Sequence, residues 1–353
     1  MISSLPVRAP ALKIKTAPGG MTLIELLTVV FLGTILLSMV FLLYSNSSRS
    51  YIRQEATMEQ MLNLRGGMAG ISRQIRMAGN GYGLLGLNQN QVIQVYIKDS
   101  DGIPVGWFRY PSSSTDGVRP IFGTDGGVSG TDTITICSLS PDFATPLGML
   151  NAEFNASSTK LSLENTIELP AGLDPSEVLK PNDYLALVPG DQPPILVESA
   201  SDGTNLTEIT IKKLPSSLPN GMSSLPAGTK VYNVKSVSLR TFSVDTVNNF
   251  LVMDSNEVTG DLMAEEIEDL QIAYCLGSDD PGDLSKYVHN FDGQDLKSKP
   301  VRTVRLVMIS KSSTPDPYRG TFSAVTALNH TSVGAPDSYV RRFLENTVQL
   351  RNY

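Results

Sequence analysis

Residues 19–44 read Gly19-Gly20-Met21-Thr22-Leu23-Ile24-Glu25-Leu26-Leu27-Thr28-Val29-Val30-Phe31-Leu32-Gly33-Thr34-Ile35-Leu36-Leu37-Ser38-Met39-Val40-Phe41-Leu42-Leu43-Tyr44. From Leu26 to Tyr44 no residue is charged. A helix over that run spans roughly 28 Å, close to the hydrocarbon thickness of a bilayer. Ahead of it, residues 1–20 hold Arg8, Lys13 and Lys15, no acid, and Pro6, Pro10, Pro18, Gly19 and Gly20. That is a short basic segment with no helical pattern of its own. Basic residues before the run and a long body after it predict an N-in, C-out orientation. An ordinary secretory signal has a shorter apolar core and a small-x-small cleavage site; here the run is longer and is followed by Ser45-Asn46-Ser47-Ser48-Arg49. A plain signal anchor fits the length but leaves Glu25 unexplained. A carboxylate near the start of an apolar helix costs a few kcal/mol, on the order of 3, unless it is paired.

The stretch Gly19-Gly20-Met21-Thr22-Leu23-Ile24-Glu25 resembles the prepilin-peptidase site of type IV pilins and type II secretion pseudopilins. The resemblance implies a leader, residues 1–20, cut between Gly20 and Met21, followed by N-methylation at Met21. The family usually places phenylalanine first after the cut, where this chain has Met21. The glutamate that the family keeps within the helix maps onto Glu25. Cleavage would create a cationic amine one helical turn from it. In a filament Glu25 can then pair with the amine of a neighbouring subunit, two charges that are costly alone complementing each other in a low-dielectric bundle.

The helical pattern continues beyond the apolar run. Met58, Met61, Leu62, Leu64, Met68, Ile71, Ile75 and Met77 fall mostly at i, i+3, i+4 spacings, and no proline interrupts residues 21–100. One helix of about 55 residues is expected, its second half amphipathic. It should end at Gly79-Asn80-Gly81. Gly66, Gly67 and Gly70 weaken it by about 1 kcal/mol each relative to alanine and let it approach a sheet closely. From residue 91 to 313 the signals are mostly strands: Gln91–Ile97, Lys160–Glu164, Tyr184–Val188, Ile195–Glu198, Glu208–Lys212, and a hairpin of Lys230–Phe242 with Phe250–Met253. Met263–Leu270 reads as a short helical turn whose acids, Glu265, Glu266, Glu268 and Asp269, sit solvated at a helix start.

The resemblance narrows along the chain. Arg73-Gln74-Ile75-Arg76-Met77-Ala78-Gly79, Gly130–Ile136, Ile267–Tyr274, Val301–Ile309 and the closing Arg341–Asn352 are similar to segments of the PilW family, a class of minor pilins. The implied fold class is α+β and pilin-like: a long N-terminal helix packed on a β-rich head. The expected division is a leader over 1–20, a helix over 21–79 with a membrane-spanning part at 24–44, and an extracytoplasmic head over 80–353. Residues 140–230 show little similarity to that family and fit an insertion or sub-lobe.

Composition agrees with a β-rich, loop-rich, exported protein. The chain has 353 residues, 41% of them hydrophobic and 18% charged, with a formal net charge of -7. An acidic balance argues against nucleic acid as the main partner, which needs a basic stripe. No phosphate loop, HExxH or GxSxG occurs, so the reading is not an enzyme, and no cofactor is implied. His289 and His330 lie in polar loops without a carboxylate or cysteine framework. Asp279-Asp280-Pro281-Gly282-Asp283 lacks the ligand spacing of an EF-hand, so the metal reading is none. Arg341, Arg342 and Arg351 make the C-terminal segment basic, able to pair with the acidic cluster or to face a neighbour. Cys137 and Cys275 are compatible with a disulfide outside the cytoplasm, or with two buried thiols.

The function implied is that of a minor pilin acting in pilus assembly or priming. Its partners would be the prepilin peptidase and other pilins, contacted through the N-terminal helix. It would sit in the inner membrane before assembly and at the cell surface afterwards. A minor pseudopilin of type II secretion and a pilus-associated adhesin are the alternatives.

Overall fold

An unbroken run of helix formers should give one long helix, and in the computed structural model α1 runs from Leu23 to Met77, 55 residues. The structure describes residues 22–83, 94–98, 104–108, 119–127, 130–141, 145–166, 174–190, 194–201, 203–212, 218, 223–255, 260–277, 279–289, 299–316, 321, 326–328, 330–331 and 337–350. The chain divides into two units, Met1–Thr57 and Met58–Tyr353. In the first, the described residues are those of α1 and the Thr22 before it, and its large apolar side chains are exposed. In the second, the remaining turns of α1 bury Leu64, Met68, Ile71 and Ile75. The helix stops where glycine permits left-handed backbone, at Gly79 (φ 69°) and Gly81 (φ 85°).

The second unit continues with β1 (Gln94–Lys98), β2 (Pro104–Phe108), β3 (Ile121–Thr124), β4 (Thr133–Pro141), β5 (Gly148–Leu150), β6 (Phe154–Asn155) and β7 (Lys160–Glu164). A single turn, α2 (Pro175–Val178), is capped by Asp174, which accepts from Ser176 N at 2.9 Å. Then follow β8 (Tyr184–Val188), β9 (Ile195–Glu198), β10 (Glu208–Thr210), β11 (Ser224–Leu225), β12 (Lys230–Asp245), β13 (Phe250–Ser255), β14 (Asp261–Ala264) and β15 (Ile267–Leu276). The last are β16 (Val301–Lys311), β17 (Thr326–Ala327), β18 (His330–Thr331) and β19 (Arg341–Gln349).

Strand β12 belongs to two structures. Its first residues, Lys230–Val234, pair with β8, and Lys230 and Val231 also pair with β5. The order continues β10-β7-β5-β12-β8-β9. The ring closes where β9 meets the end of β10: Ser199 bridges Ile211, Lys212 N donates to Glu198 O at 2.9 Å, and Ala200 N donates to Thr210 O at 2.9 Å. The result is a small barrel. Leu161, Leu163, Leu185, Leu187, Ile195 and Val197 are among the buried residues of its core. Alternation explains the inward set: Lys160-Leu-Ser-Leu-Glu164 reads exposed-buried-exposed-buried-exposed. The chain leaves β4 at Pro141 and is back in β12 at Val234, and these two residues are paired. Everything between them is therefore a loop-out from one antiparallel ladder.

The second part of β12 pairs with β4 on one side and β13 on the other. A separate antiparallel sheet has the order β15-β16-β19. The helix residues Leu64, Met68, Ile71 and Ile75 share one core with Ile134, Phe242 and Leu251 of the first sheet and with Leu270, Leu306 and Met308 of the second. Asp132 splints the two sheets. Its backbone N–H donates to Leu270 O at 2.8 Å, and its buried carboxylate accepts from Gly126 N at 2.9 Å and Ile272 N at 2.7 Å.

The expected helical turn over Met263–Leu270 is not there. Glu266 adopts φ 60° and turns the chain from β14 into β15. All ten residues of β15 are buried, Glu268 and Asp269 included. A strand buried on both faces loses the two-residue alternation that would reveal it.

Gly67 faces Leu251, Ala264 and Met308, which lie 3.0–3.3 Å from where its Cβ would be. A Cβ at Gly66 would meet nothing within 4 Å. Gly67→Leu should therefore cost about 1–3 kcal/mol through overpacking, whereas Gly66→Ala should stabilise by about 1 kcal/mol. Denaturant unfolding of the detergent-solubilised chain checks both signs.

Candidate functional site

Thr22 opens the helix: its carbonyl accepts from Glu25 N at 3.0 Å and from Leu26 N at 3.1 Å. This sets Glu25 in the first turn, with its side chain exposed. Around it Leu23 and Ile24 are 82% and 76% exposed. Farther along, the hydroxyls of Thr28, Thr34 and Ser38 are turned onto the helix's own backbone. Thr28 donates to Ile24 O at 2.6 Å, Thr34 to Phe31 O at 2.7 Å, and Ser38 to Thr34 O at 2.8 Å. A helix so arranged offers a nonaqueous surrounding few unsatisfied polar groups. It is long and apolar enough to cross a membrane. Gly20 and Met21, the expected cleavage and methylation positions, lie outside the described residues.

One set of polar ties in the second unit gathers on β19 and the residues just before it. Gln60 of α1 donates to Val340 O at 3.2 Å, and Asn346 donates to Ser72 Oγ of α1 at 2.8 Å. Arg341 engages Glu268 through Nε and Nη2, at 2.6 and 2.9 Å, and Asp337 through Nη1 and Nη2, at 2.6 and 2.9 Å. Its side chain is only 2% exposed. Lys311 lies 3.7 Å from Glu268, 3.5 Å from Asp337, and over the Tyr339 ring at 4.5 Å. The basic C-terminal segment and the acidic cluster thus meet. Hydrogen bonding from Arg341, with smaller contributions from Tyr339 N and the charges of Arg341 and Lys311, holds the Asp337 carboxyl down at about 2.

Residues 231–352, which include this sheet and its ion network, match the family model of PilW, the type IV pilus-assembly protein W. This C-terminal third of the chain is similar to the PilW family. No curated protein and no solved structure matches it. The PilW-like stretch takes in Ile267–Tyr274, Val301–Ile309 and Arg341–Asn352, three of the segments singled out in the sequence. It contains β12 but stops short of the other barrel strands and of α1.

The remaining sequence candidates take structural parts. Cys137 and Cys275 are both free and buried here, the two-thiol alternative of the sequence reading. The reason is their packing: Cys137 sits in a cluster with Tyr82 and Leu139, Cys275 in another with Ala273 and Tyr287. Burial pushes the Cys137 thiol up to about 12, and burial followed by the charge of Asp279 raises that of Cys275. Both are protonated, unreactive thiols at neutral pH. In the aspartate loop, Asp280 accepts from Gly282 N at 2.9 Å and Asp283 from Ser285 N at 3.0 Å, turn-building roles. Among the described residues no three histidine, cysteine or acidic side chains converge as metal ligands. The barrel's closure had no sequence signal: both closing segments read as strands, but no local pattern says that they pair with each other.

Arg341→Leu strands Glu268 at 7% exposure. Its cost should be about 3 kcal/mol, the low end for a broken buried pair because Lys311 remains nearby. The pH sign follows from Asp337. Its folded value lies below the ordinary 3.8, so its contribution is complete above that value and is lost as pH falls toward about 2. Acid titration of stability should show this loss in the parent chain and a flatter profile in Asp337→Asn.

Proposed function

We propose that this PilW-like chain is a minor pilin that takes part in assembling or priming a type IV pilus. One observation carries the reading. A lone carboxylate, Glu25, stands in the first turn of an exposed helix with no other charge before Arg49, in a chain whose C-terminal part is PilW-like. Such a carboxylate needs a cationic partner. An N-terminal amine released by cleavage between Gly20 and Met21 would supply it, in a neighbouring subunit.

On this reading residues 1–20 hold the N-terminus in the cytoplasm until a prepilin peptidase removes them. N-methylation at Met21 keeps the amine cationic. The mature subunit waits in the inner membrane on residues 24–44, and assembly machinery then draws it into a bundle of such helices with the head outside. The chain has no catalytic part in this scheme. Gly20→Ala should accumulate as the longer, unprocessed form, read by intact mass; normal processing would sink the cleavage step. Glu25→Ala should be processed normally yet enter pili poorly; incorporation at the parental level would remove the charge-pair argument.

The barrel favours a second role, as a surface-binding subunit, because all its staves but β12 lie outside the PilW-like stretch while having a core of their own. Pro141 and Val234 are paired, so a two-residue Asn-Gly turn can replace residues 142–233. The shortened chain should still assemble. If cells carrying it bind surfaces as the parent does, the barrel is not the binding lobe.

A further inference from the structure

Just beyond the uncharged run the helix changes character over one short stretch. Tyr44 and Tyr51 are 72% and 69% exposed, and Arg49 and Arg53 are exposed as well. At 3.6 residues per turn the tyrosines stand two turns apart on one face, and the arginines one turn apart on the opposite face. Ser45, Asn46, Ser47, Ser48 and Ser50 fill most of the space between. No acid occurs between Glu25 and Glu55, so Arg49 and Arg53 are the only charged side chains of that interval. Each has an interaction within the chain, and a guanidinium with five donors retains capacity for another acceptor.

We infer that Tyr44–Arg53 is a headgroup collar, seated in the layer of anionic phospholipid that the helix enters on leaving the hydrocarbon. The inference rests on residues 24–44 being a membrane span, as proposed above. Three properties identify the occupant. The collar is continuous with the apolar run, so whatever surrounds residues 24–44 ends where the collar begins. At about 14 Å along the helix, it is long enough to pass through the headgroup region on one side of a bilayer, about 5–8 Å thick. Its chemistry is that of an interface: phenol rings lie where apolar and wet layers meet, and guanidinium forks bind phosphate oxygens. An acidic partner helix would satisfy the arginines, but it would give the tyrosines no boundary to straddle. The collar would fix the depth at which the subunit waits and add an electrostatic hold at its outer end.

The test places the full chain in nanodiscs of phosphatidylcholine mixed with phosphatidylglycerol and counts the lipids that remain bound on ejection by native mass spectrometry. Phosphatidylglycerol should be enriched around the parent chain. The preference should fall about fivefold for each arginine replaced in Arg49→Gln and Arg53→Gln, and survive in the double Arg→Lys variant. Equal retention of the two lipids by parent and double glutamine variant overturns the collar and leaves the span standing. A chain that does not enter the bilayer at all overturns the span, and the collar with it. Far-UV circular dichroism of each variant confirms that the head has folded.

Discussion

The second unit depends on one stripe of helix. Leu64, Met68, Ile71 and Ile75 are the side chains against which two separate sheets close, and Gly67 lets backbone approach where both sheets meet the helix at once. Each buried leucine or isoleucine contributes about 1.5–3 kcal/mol, and here they share one core with both sheets. Asp132 then fixes their relative register with hydrogen bonds to β15. A buried carboxylate is costly unless its oxygens are satisfied, and the backbone donors of Gly126 and Ile272 satisfy them.

Much of this was legible in the residues, for reasons that can be named. The helix was legible because nothing in 21–77 breaks it and Gly79 ends it. Strands β7, β8 and β9 coincide with their sequence ranges, short β-branched or alternating runs between turn residues. The hairpin of β12 and β13 shows through Asn248-Asn249, with Asn249 at φ 56°. Strand β15 was misread because both its faces are covered: its glutamate, aspartate and glutamine sit inside, and the period of two disappears. The barrel was illegible for another reason. Closure is a relation between β9 and the end of β10, which no local pattern encodes. The sequence likewise left a disulfide and two buried thiols both open, since two cysteines far apart in sequence say nothing about which cluster each will join.

Of the candidate functional residues, Glu25 was legible because a carboxylate in an apolar run is a conflict, and conflicts stand out. The Arg341 network was half legible. Composition offered acids near 268 and bases near 341, but not that Arg341 would be the buried member while Lys311 and Asp337 stay nearer the surface. Ion pairs of this kind add less stability than their contact distances suggest, because desolvation opposes them. What Arg341 adds is orientation, since a two-armed guanidinium admits few placements of β19 against β15.

The helix stripe also sets a schedule. Its partners on β16 and β19, Met308 and Val348, are encoded at the far end of the chain from Leu64. A polypeptide emerging N-terminus first can close one sheet over those leucines and isoleucines once β14 has appeared, but the second only after β16 and β19. The lobe between Pro141 and Val234 has no such wait, for nearly all its strands are finished long before. Folding during synthesis should therefore begin in the middle of the chain and end by joining its two extremes. Until then the unclosed stripe is a surface for which a holding chaperone would compete.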